Sequence, residues 1–194
     1  MRKLTKKDLY SLEDYAQVRD EFRSNVMAHK CNRRLSLGMN TTLYFEDMLT
    51  MHYQIQEILR IERIFEESLI NEELDVYNPL IPDGSNWKAT FMIEFPESVE
   101  RRIMLTQLIG IENSIWMQIE GCEKIRPIAD EDLDRSDKHK TSAVHFLRFE
   151  LNSSQIQAFK SGAILSAGID HKNYKIEISP VTENVCNSLL GDLD

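Results

Sequence analysis

Two stretches of alternating apolar and polar residues constrain the fold more than any other feature of this 194-residue chain. They read WKATFMIEF at 87–95 and AVHFLRFEL at 143–151. A period of two is typical of a β-strand with one buried face. The buried faces would hold Trp87, Ala89, Phe91, Ile93 and Phe95, and Ala143, His145, Leu147, Phe149 and Leu151. The fold must therefore cover at least one large apolar sheet face.

Each stretch is followed by the same order of predicted elements, a helix and then two strands. In the first half, Pro96 begins the helix, and SIWMQIEG and EKIRPIA follow as strands. In the second half, the capped helix NSSQIQAFKSG precedes the strands AILSAGID and YKIEIS. We interpret this order as an internal duplication with halves at 87–129 and 142–180. One such βαββ unit is too small to cover both sheet faces, so the halves would form one mixed sheet or two sheets face to face.

The region 1–78 is predicted to be helical, with a β-hairpin at 32–47 around Gly38 and a long helix from near Asp47 to Leu69. Residues 75–87 contain two prolines and an Asp-Gly pair, which is typical of a linker. The acidic tail 181–194 carries a weak helical stripe that would dock or fray. The fold class is therefore predicted as α+β, a helical region with a hairpin packed on a duplicated βαββ mixed sheet, in one compact unit.

Composition excludes several classes of partner. The formal net charge is -9, with 32 acidic and 23 basic residues, so the surface repels nucleic acid and anionic membranes. No stretch approaches the roughly 18 apolar residues of a membrane-spanning helix. Three dispersed cysteines predict a reducing, cytoplasmic location rather than a disulfide framework.

Four segments together carry a resemblance to a known family. NRRLSLG, HYQIQEILRIERIFEE, YNPLIPDG and SAVHFLRFEL resemble an uncharacterised bacterial family, domain of unknown function number 3501. The similarity covers nearly the whole chain. Genes of this family often lie beside those of rubrerythrin-like proteins and iron–sulfur oxidoreductases, so the resemblance implies a link to redox or peroxide defence. It supplies no catalytic residue that could be assigned to this chain.

Glu62 interrupts the apolar face of the helix predicted near 47–69. Its neighbours in helical projection are Ile55, Ile58, Phe65 and Leu69. An unpaired buried carboxylate is costly, so Glu62 requires a partner if it is buried. We expect an ion pair with Arg148 or, next, with Arg23. The alternatives are a metal or proton-transfer site, or a different helical phase that leaves Glu62 in solvent.

His145 lies on the predicted apolar face of a strand, where a histidine is most often a hydrogen-bonded core residue. A sharper hypothesis joins His145 to Glu62 in a metal site, with Glu57 or His52 assisting. Carboxylate and imidazole ligands suit iron, manganese or zinc. However, Glu57 and Glu62 lie about 140° apart around a helix, so they would not converge on one ion.

Two arginine pairs are candidates for binding an anion. These are Arg33 with Arg34 at the hairpin, and Arg101 with Arg102 on the first helix of the repeat. The planar guanidinium group of arginine can bind carboxylate or phosphate through two parallel hydrogen bonds, although such arginine pairs also form ion pairs with nearby acidic side chains. The sequence contains neither a glycine-rich phosphate loop, nor a nucleophile elbow, nor a Cys-x-x-Cys motif.

These patterns favour a cytoplasmic, non-catalytic accessory or binding protein that works with an iron–sulfur oxidoreductase or a rubrerythrin-like partner. The first alternative is a metal-dependent enzyme or sensor that uses Glu62 and His145. The second is a small anion-binding domain. The sequence predicts no specific cofactor beyond a possible iron, manganese or zinc ion, and it leaves the oligomeric state open.

Overall fold

The computed structural model describes residues 3–194, and six α-helices and eight β-strands lie within them. The predicted α+β class is confirmed. Residues 1 and 2 of the predicted region 1–78 lie outside the described residues. Within the described residues, no helix combines the length and the apolar character that crossing a membrane requires.

Three helices form the N-terminal region. Helix α1 spans Leu12–Cys31, α2 spans Met48–Glu62, and α3 spans Glu67–Tyr77. Asp47 begins α2, because its carboxylate accepts the Thr50 N–H at 2.9 Å and so satisfies an otherwise free backbone donor.

The single long helix predicted from Asp47 to Leu69 is wrong, because it is divided between α2 and α3. Arg63 adopts a left-handed backbone conformation with φ 56, and it ends α2 as a C-cap. A short connection then leads to α3, which begins at Glu67. The helical phase of residues 48–62 therefore does not extend to Phe65 or Leu69.

The strands form two antiparallel sheets. The larger has the order β1-β2-β3-β6-β5, with β1 at Arg34–Ser36, β2 at Thr41–Glu46, β3 at Asn86–Ile93, β5 at Ile128–Ala129 and β6 at Val144–Glu150. The smaller has the order β4-β7-β8, with β4 at Ile115–Ile119, β7 at Leu165–His171 and β8 at Tyr174–Ile178. The predicted hairpin is present as β1 and β2. The ladders between strands are antiparallel, which differs in detail from the mixed sheet we predicted.

The order strand–helix–strand–strand occurs twice. Helix α4, Ser98–Gln107, follows β3, and helix α5, Ser153–Lys160, follows β6. Strand β3 pairs with β6, and β4 pairs with β7. The third strands differ, because β5 pairs with β6 of the other half whereas β8 pairs with β7 of its own half. The duplication of residues 87–129 and 142–180 therefore stays a prediction.

The two sheets share one apolar core. It contains the inward residues of β3 and β6, including Trp87 and Phe149, together with those of β4 and β7. The C-terminal helix α6, Glu183–Leu190, also packs there through Val185 and Leu189, and Leu189 O accepts a hydrogen bond from Trp87 Nε1 at 3.1 Å. The tail is therefore docked. A second apolar cluster joins α2 to α3.

Gly168 of β7 provides a test of how closely the smaller sheet is packed. A Cβ atom at this position would overlap the backbone oxygen of Ile176 and would lie 2.5 Å from Cζ2 of the buried Trp116. Neither atom belongs to a flexible side chain, so Gly168→Ala should lower the free energy of unfolding by about 1–3 kcal/mol. Urea denaturation measures the loss. Glu177→Ala, at the exposed cross-strand position, is the control, and equal stability of both variants would contradict the prediction.

Candidate functional site

Glu62 is exposed to solvent as the last residue of α2. The predicted burial of Glu62 is therefore wrong, because α2 ends there and the apolar face predicted around it does not form. Two apolar residues near it are exposed as well, Ile61 at 65% and Phe65 at 70%. The structure therefore agrees with the last alternative given above, in which Glu62 lies in solvent.

The predicted ion pair between Glu62 and Arg148 is also wrong. Arg148 pairs instead with two other acids: its Nε and Nη2 donate to Glu131 at 2.9 and 2.8 Å, and its Nη1 donates to Glu150. The hydrogen bonds from Arg148 lower the pKa of Glu131. Arg23, the second predicted partner, is exposed on α1.

The carboxylate of Glu57 binds side chains of α1 and is not part of a group of metal ligands among residues 3–194. It accepts hydrogen bonds from Arg19 at 2.8 and 2.9 Å and from the Tyr15 hydroxyl at 2.7 Å. These bonds, with that of Arg19 the strongest, hold the pKa of Glu57 at about 2. The charged carboxylate of Glu57 therefore connects α2 to α1 through an ion pair and a hydrogen bond.

His52 stacks on Tyr10, with the ring centroids 5.8 Å apart, and burial lowers its pKa. Its Nε2 is buried without a hydrogen-bond partner among residues 3–194. In the same part of the chain, no three His, Cys, Asp or Glu side chains are grouped so that they could hold a metal ion. The proposed set of Glu62, His145, Glu57 and His52 is thus not brought together.

His145 is fully buried in β6, and both of its ring nitrogens have partners. Nδ1 lies 2.6 Å from Asp130 Oδ2, and Nε2 lies 2.8 Å from Thr141 Oγ1 and 3.1 Å from Ser142 O. The carboxylate of Asp130 can only accept a hydrogen bond, so Nδ1 is the donor in that pair. His145 is a hydrogen-bonded core residue that fixes the segment after β5.

Arg33 is buried, and its donors are used inside the protein rather than offered to an external anion. Nε donates to Phe45 O at 3.0 Å, Nη2 donates to Glu46 O at 3.0 Å, and Nη1 donates to Ser188 Oγ at 3.0 Å. Nη2 also lies 2.5 Å from Asp192 Oδ2. Arg33 therefore fastens the C-terminal tail to the hairpin.

The other three predicted arginines lie on the surface. Arg34 is exposed, with its guanidinium 5.7 Å from the centre of the Tyr44 ring. Arg101 and Arg102 are exposed on α4, and Arg101 Nη1 donates to Phe95 O at 3.2 Å. The pair Arg33 and Arg34 lies at the hairpin, and the pair Arg101 and Arg102 lies on α4. An anion site formed by either pair stays a prediction.

A polar cleft of about 580 Å³ opens beside Arg33, between the end of α1 and α6. His29 Nε2 lies 2.5 Å from Asp47 Oδ2, and the same oxygen lies 3.4 Å from Arg33 Nε. Burial raises the pKa of Asp192 to about 6, although the adjacent Arg33 opposes this shift. The cleft thus contains an ionisable network that connects three distant parts of the chain.

The site best suited to a ligand is a larger cavity of about 660 Å³, which we name the α3 groove. It lies between residues 75–80, the segment 131–135 and the outer face of the larger sheet, at Lys88 and at 146–148. Its walls include the apolar side chains of Val76, Leu80, Leu133 and Phe146. This volume is within the range of about 300–1,000 Å³ that is typical of small-molecule pockets.

The acids that line the α3 groove beside the arginines are neutralised by them. Glu131 pairs with Arg148, and Asp132 pairs with Arg135, whose Nη2 donates to it at 2.7 Å. Lys88 differs, because its Nζ donates to the backbone oxygen of Pro79. Burial lowers the pKa of Lys88, which reflects its half-buried position in the sheet.

Asp130 positions one wall of the α3 groove. It has a left-handed backbone with φ 52, which is uncommon for residues other than glycine, although aspartate adopts it more readily than most. Its carboxylate accepts the Phe146 N–H at 2.9 Å and binds His145. Arg135 lies 3.4 Å from Asp130 Oδ1, and its guanidinium lies 4.5 Å from the centre of the Phe146 ring. The buried histidine therefore supports the groove through Asp130.

The sequence interpretation missed Lys88, Asp130, Arg135 and Phe146. Lys88 is one of the outward residues of a strand, and such lysines are most often solvated. Phe146 gave a usable signal, since it is a large apolar residue on the outward face of β6. An aromatic residue there indicates that another segment covers this face.

We expect Asp130→Ala to loosen the groove wall, since it leaves His145 Nδ1 and the Phe146 N–H without this acceptor. Hydrogen exchange of residues 131–140 should become at least about tenfold faster, which corresponds to a loss of about 1.4 kcal/mol in local stability. Mass spectrometry of the exchanged peptides measures the effect. Asp134→Ala, an exposed acid in the same segment, is the control, and unchanged exchange in Asp130→Ala would contradict this role.

The raised pKa of Asp192 predicts a pH-dependent stability. The folded chain binds the Asp192 proton more strongly than the unfolded chain, in which the pKa of this carboxyl group is near 3.8. The resulting stabilisation of the fold is therefore complete below about pH 4, and it is lost as the pH rises through 6. The stability of the wild type relative to Asp192→Asn should fall by about 2–3 kcal/mol between pH 4 and pH 7. Urea denaturation across this range measures it. Asp20→Asn, an exposed change on α1, should leave the profile unaltered, and parallel profiles for Asp192→Asn would disprove the assignment.

Comparison with family models identifies the family of this chain. The model of a family described as "Protein of unknown function (DUF3501)" matches residues 3–193. A crystal structure of a novel protein of unknown function from Burkholderia pseudomallei is 47% identical, with a TM-score of 0.94 and complete coverage of both chains. No curated protein matches the chain. The chain belongs to the DUF3501 family.

Proposed function

We propose that the chain is a non-catalytic binding protein that accepts a small amphipathic molecule in the α3 groove. The observation that carries this proposal is a cavity of about 660 Å³ with apolar walls, bordered by Lys88 and by the ion pairs Glu131–Arg148 and Asp132–Arg135. Pockets of this kind combine apolar surface for affinity with a few polar groups for orientation. The walls come from α3 and the residues after it, from the segment after β5 and from strands β3 and β6, so the groove depends on the packing of segments far apart in the sequence.

The exposed apolar residues at the edge of the groove support this proposal. Val76 is 62% exposed, and Leu133 is 56% exposed. A ligand that covered them would gain roughly 25 cal/mol for each Å² of apolar surface removed from water. Since the two residues border the same cavity, one apolar molecule could contact both of them.

The metal-dependent alternative has lost its geometric basis. It required Glu62 and His145 to share an ion, but Glu62 is exposed at the end of α2, and His145 binds Asp130 and Thr141. The anion-binding alternative at Arg33 is weakened as well, because the guanidinium donors of Arg33 are used by the hairpin and the tail.

The proposed partner is an iron–sulfur oxidoreductase or a rubrerythrin-like protein, and the proposed compartment is the cytoplasm. The support for the partner is only the gene neighbourhood that the resemblance to the family implies, and the support for the cytoplasm is the dispersed set of three free cysteines. Tagged chain purified from the native cell should bring down one such redox protein in a fixed ratio. Repeated purification without any redox protein would count against this accessory role.

Nile red, a neutral apolar dye, tests whether the groove binds ligands. We expect its fluorescence to rise with the wild-type chain, and Val76→Asp should weaken the apparent affinity at least about tenfold, because a charge at the wall must be desolvated. Val99→Asp is a matched control, since Val99 is a 72% exposed helix residue outside the groove. Equal binding by both variants would show that the dye binds elsewhere.

A further inference from the structure

Lys88 is the one groove-lining cation with no ion-pair partner among the described residues 3–194. In the β3–β6 ladder it lies opposite Arg148, on the outer face of the sheet. An ammonium group has three N–H donors, and Pro79 O accepts from one of them. The other two have no partner in the described part of the chain. The groove therefore contains unused donors on a half-buried positive charge.

The neighbouring acids do not supply that partner. Glu131 and Glu150 are bound by Arg148, and Asp83 accepts hydrogen bonds from Ser85. These three acids act on Lys88 through space and favour its charged form, whereas Arg148 opposes it. Among residues 3–194, none of the three forms an ion pair with Lys88.

Each arginine that lines the groove is already occupied by a carboxylate. Arg135 binds Asp132, and Arg148 binds Glu131. A dianion such as a phosphate monoester would need a second free cation, and the groove offers none among residues 3–194. A cationic ligand would meet Lys88 as a like charge, and the acid of the lining that has no ion pair among residues 3–194, Asp75, is exposed to solvent, where such a pair contributes little. A neutral ligand would leave the charge of Lys88 unpaired. The remaining class is an apolar molecule with a single negative charge.

We propose that the natural ligand of the α3 groove is an apolar monocarboxylate whose carboxylate binds Lys88 and whose hydrocarbon part lies against Val76, Leu133 and Phe146. This inference rests on the proposed binding function and names the ligand class of the same site. A charge-assisted N–H···O bond from an ammonium to a carboxylate is about twice as strong as a neutral one, and its strength increases in a groove partly removed from water.

A series of three eight-carbon probes with different head groups tests the ligand class on the full chain. Displacement of Nile red, confirmed by calorimetry, gives the dissociation constants of octanoate, octan-1-ol and octylamine. We expect octanoate to bind at least about tenfold more tightly than octan-1-ol, and octylamine to bind least tightly, because each head group meets the same ammonium group. This comparison uses the wild-type chain, so it does not depend on the folding of any variant.

Variants at Lys88 assign the preference to its charge. Lys88→Met keeps the length of the side chain and should reduce the affinity for octanoate at least about tenfold, while the affinity for octan-1-ol stays within about twofold. Lys88→Arg should retain the preference for octanoate. Lys175→Met, which removes an exposed strand lysine outside the groove, is the matched control and should bind like the wild type.

The possible results distinguish a failure of the monocarboxylate proposal from a failure of the proposed binding function. If octan-1-ol binds as tightly as octanoate, or if Lys88→Met keeps the preference, the monocarboxylate class is wrong and the groove remains a site for apolar ligands. If no probe binds, and Val76→Asp binds Nile red as the wild type does, both proposals fall together.

Discussion

The antiparallel ladder between β3 and β6 is the constraint on which the rest of the structure depends. Seven residue pairs connect the strands, from Asn86 opposite Glu150 to Met92 opposite Val144. Successive side chains alternate between the faces, so Trp87 and Phe149 enter the core while Lys88 and Arg148 face the groove. A slip of one residue would exchange these sets and would bury charges. The register of the β3–β6 ladder therefore determines both the composition of the core and the side chains that face the groove.

Buried polar groups tie remote segments to this ladder. His145 faces the core and cannot stay there without acceptors, so Asp130, Thr141 and Ser142 meet it. Arg33 likewise requires the carbonyl of Phe45 and the carboxylate of Asp192 at the other end of the chain. Removing one member of such a buried pair costs several kcal/mol, because the other is left buried without a partner. These pairs therefore specify where the segment after β5 and the C-terminal tail are placed.

Much of the secondary structure could be predicted, because alternation and helical spacing are local signals. The strands β3 and β6, the hairpin and the start of α2 at Asp47 are examples. The end of α2 was not predictable in this way, since Ile61, Ile64 and Phe65 continue an apolar pattern although the helix stops at Glu62. A left-handed arginine carries no local signature of the kind that glycine gives at helix ends. The site depends on contacts between segments that are far apart in the sequence, such as Lys88 and residues 131–135, and no local pattern reports such contacts.

The charges of the α3 groove also constrain how it could discriminate between ligands. An arginine that is bound bidentately by a carboxylate, as Arg148 is by Glu131, can accept a new anion only if the old pair separates. That separation offsets part of what the new contact returns, so the paired groups select by charge less strongly than an unpaired cation does. The apolar walls contribute affinity, but they do not distinguish between head groups. Selectivity for the charge of a ligand therefore falls to Lys88, the groove cation that its neighbours leave unpaired among residues 3–194.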